Sequence, residues 1–337
     1  MRSILLLLLI LTLPARALVP FFSNPAYTRD EPTDPPWFVE NNGEPSRLYY
    51  NGVYQSQETG GDDLNLYSAW AIQPAGAKVG VVDQTAHGDR VAALVGTVSP
   101  QSEVFRHELL RWNAPDIAAG IQASVASGCR VVVVTTGFSA WDDGLSNACK
   151  TAEQAGVVIC YAVPNVDQDL EGLPLDYPYV WSHEMGNIIG ATSTDRDGSH
   201  YSPSATGTNC IAAPGRNIVA AGTYSSGTSW SAPILAGCVA LLVERYPDQP
   251  VENYRSVLRA TSTPVSHRVD IFAALNAPVP VLAISRTAIT VTGLPGWRYT
   301  VERSEDLVHW ADFRPVTGSS VTPAVPGFFR VRVGGPT

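Results

Sequence analysis

The sequence predicts an α/β protein: a three-layer domain on a parallel sheet, followed by a small all-β module. Three observations point there. Runs such as "VGVV", "VVVV" and "VVIC" are continuously apolar rather than alternating, the mark of strands covered on both faces. Between them lie segments of helical composition, "APDIAAGIQASVAS" and "GLSNACKTAEQA", closed by Gly128 and Gly156, where a helix C-terminus favours glycine. From about Pro278 the texture changes to short alternating runs broken by turn signals, as in "AITVTGLPGWRYTVERSEDLVHWADF", which reads as antiparallel strands.

Taken in order, the chain opens "MRSILLLLLILTLPARA", with Arg2, an unbroken apolar run from Ile4 to Leu13, and the small-residue pattern Ala15-Arg16-Ala17. This predicts a secretory signal over residues 1–17, since the run is about half of the roughly 18 residues that a bilayer span needs. Removal of the signal leaves a mature chain that is secreted, periplasmic or on the cell surface. Residues 18–60 are rich in Pro, Asn, Asp, Glu, Gly and aromatics without a sustained period, and read as an irregular arm. Residues 61–277 carry the main domain. Strands are predicted at "KVGVVD", "EVFRHELL", "CRVVVVTT" and "VVICYAV", with helices at "HGDRVAALVGT", at the two glycine-closed segments and at "TSWSAPILAGCVALLVERYP". Residues 278–337 read as a small β-sandwich-like module behind a Pro-rich link.

Composition narrows the function classes. The formal net charge of the 337 residues is -9 without a basic stripe, so no nucleic-acid partner is expected. No later run is apolar and long enough for an integral membrane span, and a monomer is expected. Five cysteines, Cys129, Cys149, Cys160, Cys210 and Cys238, are an odd number for an exported chain, so at least one thiol stays outside any internal disulfide. Most sit in apolar runs, where free Cys behaves as a small hydrophobe. No His/Asp/Glu set has metal-ligand spacing, so no metal or cofactor is required. His107, His183, His200, His267 and His309 lack a paired motif and read as surface or core residues.

Function in parallel α/β folds gathers at the C-terminal ends of strands. Asp83 and His87 follow "VGVV", Asn165 follows "VVICYAV", and Ser229 stands behind Gly227 and Thr228 at the opening of a long apolar helix. A serine hydroxyl needs a base within reach, and the base needs a third group to fix its tautomer. A tetrahedral intermediate needs donors aimed at its oxygen, which the Ser229 N–H and the Asn165 side chain can supply. Each residue also has a plainer reading: Ser229 as a helix cap, His87 as a capping or core histidine, Asp83 as the N-cap of the helix it precedes, Asn165 as a turn residue. Pro233 sits early in its helix, where a missing N–H costs little.

These residues carry a resemblance. "GTSWSAPILAG" resembles the serine motif of the subtilisin-like serine proteases, and "HGDRVAALVGT" their histidine motif. "KVGVVDQT" is similar to their aspartate motif, "YAVPN" to their oxyanion segment, and "NCIAAPGRNIVAA" to the stretch before their serine. The order Asp, His, Ser is the one known for subtilisin. The resemblance spans roughly residues 60–275 and implies an exported endopeptidase acting on proteins or peptides. It implies Ser229 as nucleophile, His87 as general base and acid, Asp83 as orienting carboxylate and Asn165 as oxyanion donor. It also implies a substrate cleft bordered by "VVVVTTGF", with Thr135, Thr136, Gly137 and Ala162 on it. Structural calcium occurs in the family, and its ligands are not assigned here. An α/β-hydrolase is disfavoured, because Ser231 stands where the elbow motif needs its second glycine, and His267 precedes Asp270.

The departures shape further expectations. Three residues separate Asp83 from His87, where the family has a long segment; four Cα steps reach up to about 13–14 Å, so a contact is possible, with the cleft wall beside His87 opened. Asp89 replaces a threonine and would raise the His87 pKa through space. Pro164, Phe138 and Trp230 replace smaller or more flexible residues, and residues 18–60 look too short for the family's folded prosegment. These changes make a catalytically impaired binding or display protein on the same fold the alternative. The C-terminal segment resembles small fibronectin-III-like modules, with Trp297, Tyr299, Trp310 and Phe329 expected in its core.

Overall fold

The computed structural model describes residues 64–171, 177–220, 223–263 and 268–277, with the strand segments 48–50, 53–55, 281–284, 288–292, 297–305, 311–317, 320–323 and 328–336. The predicted signal lies outside the described residues. Within the arm, β1 (Leu48–Tyr50) and β2 (Val53–Gln55) pair antiparallel, Tyr50 opposite Val53. The arm is therefore not wholly irregular; the Asn51-Gly52 pair between aromatic runs is a hairpin signal of the strongest kind.

The main domain runs α1 (Leu66–Ile72), β3 (Val79–Asp83), α2 (Thr85–Val98), β4 (Val104–Glu108), α3 (Ala114–Ala126), β5 (Val131–Val134), α4 (Asp143–Gln154) and β6 (Val158–Ala162), then β7 (Ile188–Thr194), β8 (Cys210–Pro214), the hairpin β9 (Ile218–Ala220) and β10 (Thr223–Ser225), α5 (Thr228–Arg245), α6 (Val251–Thr261) and α7 (Ile271–Leu275). Six strands form one parallel sheet in the order β4-β3-β5-β6-β7-β8. Side-chain alternation sorts the apolar strands onto two cores. Val79, Val81, Val131, Val133, Val158 and Cys160 face α2, α5, α6 and α7, whereas Val82, Val132, Val134, Ile159 and Tyr161 face α3 and α4. Both faces are covered, which is why these runs carry no polar alternation.

Helix ends follow the glycines read from the sequence. Gly128 and Gly156 have positive φ (76° and 71°). The next residues, Cys129 and Val157, return their N–H groups to Ser124 and Ala152, closing Schellman motifs on α3 and α4. Asn113 and Asp142 cap the opposite ends. All five cysteines are buried thiols. Burial pushes Cys129 up to about 11 and Cys149 up to about 12, and raises Cys160 and Cys238, so none of these four supplies a thiolate at neutral pH.

Helix α5 is buried along nearly its whole length and crosses the sheet against β5–β8 and α2. Among the described residues, no helix is long and apolar enough to cross a membrane. The C-terminal strands β11 (Val281–Ile284), β12 (Ala288–Thr292), β13 (Trp297–Ser304), β14 (Ala311–Thr317), β15 (Ser320–Pro323) and β16 (Phe328–Pro336) form two antiparallel sheets, β11-β12-β15 and β14-β13-β16. Tyr299 is fully buried, and Phe329 is half-buried against the same cluster. Trp310 and the side chain of Trp297 lie outside the described residues. Strand β16 packs on α6, and Val301 and Val331 join the apolar cluster that includes Tyr254 and Val257.

Two glycines, Gly237 on the α2–α5 contact and Gly96 on the open side of α2, predict opposite outcomes. A Cβ at Gly237 would stand 2.6 Å from Val98 Cβ and 3.3 Å from the Val95 carbonyl, whereas one at Gly96 meets nothing within 4 Å. Alanine gains about 1 kcal/mol of helix propensity at either site. Overpacking costs about 1–3 kcal/mol, so Gly237→Ala should lower the urea midpoint and Gly96→Ala should raise it. Equal shifts would contradict this packing.

Candidate active site

The sheet order reverses direction between β3 and β5, which opens a crevice at the carboxyl ends of those two strands. Asp83 closes β3, and Thr135 follows β5; the register Val82↔Val134 sets the two level. Asp83 is fully buried. Its Oδ1 accepts from the Gln84 N–H at 2.7 Å, and its Oδ2 accepts from Thr135 Oγ1 at 2.8 Å and meets His87 Nδ1 at 2.7 Å. A buried carboxylate unmatched by donors is costly; these three match it.

Helix α2 starts at Thr85, two residues earlier than the sequence suggested, with Gln84 as N-cap. Asp83 is therefore not the cap. His87 stands in the first turn, four residues from Asp83, so one helical turn folds a potential 13–14 Å reach (about four Cα steps) into a hydrogen bond. Gly88 permits this: a Cβ there would lie 2.7 Å from Arg106 Nη2 and 3.0 Å from Asp83 Cβ. With Nδ1 held against a carboxylate, the imidazole proton sits on Nδ1, and Nε2 is left as the basic lone pair. The His87 side chain is 26% exposed, so that lone pair is reachable.

Ser229 is the second residue of α5, and the helix start is stapled on both sides of it. Thr228 donates its N–H to Asn165 Oδ1 at 2.9 Å and its hydroxyl to the Val163 carbonyl at 2.6 Å. The Ser231 hydroxyl reaches the Ala213 and Pro214 carbonyls at 3.1 and 3.2 Å. Gly227, at φ 131°, bonds Gly215 through its N–H. Pro233 is the sixth residue of α5 rather than one of the first, so its missing N–H deprives the Ser229 carbonyl of its helical donor. The Trp230 ring, next in sequence to Ser229, lies 4.9 Å from the His87 ring. Among the described residues, no hydrogen bond joins Ser229 Oγ to His87; such bonds commonly tighten only with substrate. Asn165 is exposed, and the Thr228 N–H fixes its carbonyl oxygen, which leaves the Asn165 amide N–H₂ as donor on the outer side.

The remaining expected positions divide. Thr136 and Gly137 are half-buried beyond β5, on the expected cleft border. Thr135 is 7% exposed with its hydroxyl on Asp83, and Ala162 is 4% exposed within the α5-side core. These two side chains are therefore buried, because helices cover both faces of the sheet. Phe138 exchanges both backbone bonds with Tyr177, each 2.8 Å, so the segment that runs on from β5 is bridged there after Gly137. Asp89 is ion-paired with Arg106 of β4, which compensates its charge. Beside His87 stands Trp112, whose ring is 6.4 Å away; no local pattern marks it, because β3–β4 pairing brings it there. Glu171, in the loop after Asn165, would be raised by burial. Hydrogen bonds from Thr208 and Tyr179, with His183 nearby, instead hold it down at about 2. Its tie from this loop to Thr208 is therefore present above the ordinary Glu range and is lost as pH falls through about 2. Among the described residues, no group of three or more His, Cys, Asp or Glu could hold a metal.

The sequence model of the subtilase family matches residues 72–274. The thermostable alkaline protease of Halalkalibacterium halodurans is 24% identical over 200 residues, covering 54% of this chain and 53% of that protein. Subtilisin DY of Bacillus licheniformis is also 24% identical over 200 residues, covering 54% of this chain and 72% of that protein. Thermitase of Thermoactinomyces vulgaris is 24% identical over 265 residues, covering 63% and 91%. The chain thus spans about half the length of the first of these and more of the others. Among solved structures, a protease from Pseudoalteromonas arctica superposes with a TM-score of 0.54 at 20% identity, over 63% of this chain and 93% of that one. MycP1 without its N-terminal propeptide gives 0.56 at 18%, over 64% and 96%. These likenesses show the fold.

Thr135→Val keeps the volume and removes one donor from a carboxylate with no exposure. It should cost about 1.5–3 kcal/mol in denaturant unfolding, as for a hydrogen bond to a charged group, with Thr135→Ser close to the parent. An unchanged midpoint for the valine variant would count against Thr135 as a support of Asp83.

Proposed function

Because the chain belongs to the subtilase family, we propose that it is a serine endopeptidase, exported after loss of residues 1–17, which cleaves peptide or protein substrates through an acyl-enzyme at Ser229. The observation that carries this reading is the 2.7 Å contact between Asp83 Oδ2 and His87 Nδ1, made despite the short connection between the two residues.

His87 Nε2 takes the Ser229 hydroxyl proton as Oγ adds to the scissile carbonyl carbon. The oxygen of the tetrahedral intermediate gains negative charge, and the Asn165 side-chain N–H and the Ser229 N–H at the positive end of α5 donate to it. Collapse breaks the C–N bond, and the imidazolium returns its proton to the departing amine. Water then repeats the sequence on the ester and frees Ser229. Asp83 stays ionised throughout, orienting the ring and stabilising the imidazolium. The pairing of Asp83 with Thr135 and Gln84 supports this role, since it fixes the carboxylate before substrate arrives. The half-buried Thr136 and Gly137 beyond the end of β5 support an extended peptide as substrate, because backbone pairing there would be independent of sequence.

Fluorophosphonate labelling tests the reading. Wild-type protein should label at Ser229 and Ser229→Ala should not, and Asp83→Asn should label slower by on the order of 10³-fold or more, because the histidine loses its tautomer. Well-folded wild-type protein that takes no label would leave a binding protein on the same fold.

A further inference from the structure

The geometry points to Trp112 as a specificity-determining residue that selects a large apolar substrate side chain beside the scissile bond; this rests on the endopeptidase reading above. Three residues, Leu110 to Trp112, arch between two anchored ends. On one side Leu109 is buried, and its N–H bonds the Asp83 carbonyl at 2.9 Å. On the other, Asn113 caps α3 through the Asp116 N–H at 2.8 Å, while the Arg111 N–H is taken by the Asp116 carboxylate at 3.1 Å. The arch is thus tied to the same strand end that carries Asp83, and it cannot drift from His87.

The arch displays two apolar side chains outward, with the exposed Arg111 between them. Leu110 is 85% exposed and Trp112 41% exposed, and the Trp112 ring meets the His87 ring edge-on at 6.4 Å and 73°. A tryptophan held open beside a catalytic base, two residues from the exposed Leu110, is unexplained by packing, and exposed apolar surface of this kind marks a binding site. Of the nearby carboxylates, Asp89 is ion-paired with Arg106, whereas Asp116 accepts the Arg111 N–H and Glu108 the Thr85 hydroxyl. A substrate side chain lying over Trp112 would cover both rings and exclude water from the proton transfer.

The test varies each of four residues on either side of the scissile bond of internally quenched peptides among Phe, Leu, Ala, Lys and Asp. At one position, wild-type protein should favour Phe or Leu over Ala by about 10-fold or more in kcat/KM, the value expected for burying one apolar side chain. Trp112→Ala should reduce that ratio to near one while preferences at other positions persist, and Trp112→Phe should retain most of it. Selectivity that is unchanged in Trp112→Ala, or a uniform fall at every position with the preferences kept, would overturn the assignment. Fluorophosphonate labelling of the wild type separates the two levels: labelled protein without the preference removes Trp112 alone, and unlabelled protein removes the endopeptidase reading with it.

Discussion

A fully buried carboxylate governs the arrangement of the rest of the site. Asp83 would be prohibitively costly without donors, and the three it has come from three different places: its own chain neighbour, the first turn of α2 and the residue after β5. Satisfying it therefore fixes the start of α2, the register between β3 and β5 and the orientation of the His87 ring together. The same strand end, through its carbonyl, holds Leu109 and so sets the loop that brings Trp112 to the histidine. A change that disturbs Asp83 disturbs several elements, whereas the outer face of α2 tolerates change.

The second half of the site is held by a different means. Ser229 depends on neutral hydroxyls, those of Thr228 and Ser231, bonded to carbonyls at the ends of β6 and β8. Helix α5 is otherwise apolar and buried, so these hydroxyls decide where along its axis it stops. The two halves meet through aromatic contact, with Trp230 against His87 and the Arg90 guanidinium 4.9 Å from the Trp230 ring. An ionic anchor and a hydroxyl anchor, each rigid on its own side of the crevice, leave little freedom at the junction.

Much of this was legible in the residues. Continuous Val/Ile runs specified covered parallel strands, Gly128 and Gly156 specified helix ends, and the four motifs placed Asp83, His87, Asn165 and Ser229 at strand ends or a helix start. The start of α2 was not legible, because Gln84 and Thr85 are weak signals beside the conspicuous His-Gly pair, and only the demands of the Asp83 carboxylate draw the helix back to Thr85. The resemblance implied Thr135 and Ala162 on the cleft; both are buried, because helices cover both faces of the sheet, which a motif does not show. Trp112 had no local signature, since its importance arises from a strand pairing that brings residues 83 and 108 together. The hairpin at residues 48–55 was visible as Asn51-Gly52 and was outweighed by the surrounding Pro- and Asp-rich composition.

The central claim is that a connection of three residues suffices to orient the histidine. Nitrogen-resolved NMR of His87 in the free protein measures this directly. The account predicts a neutral imidazole protonated at Nδ1, with Nε2 bare and with the Nδ1 proton shifted strongly downfield by the Asp83 carboxylate. A ring protonated at Nε2, or one exchanging tautomers as freely as an exposed imidazole, would contradict it.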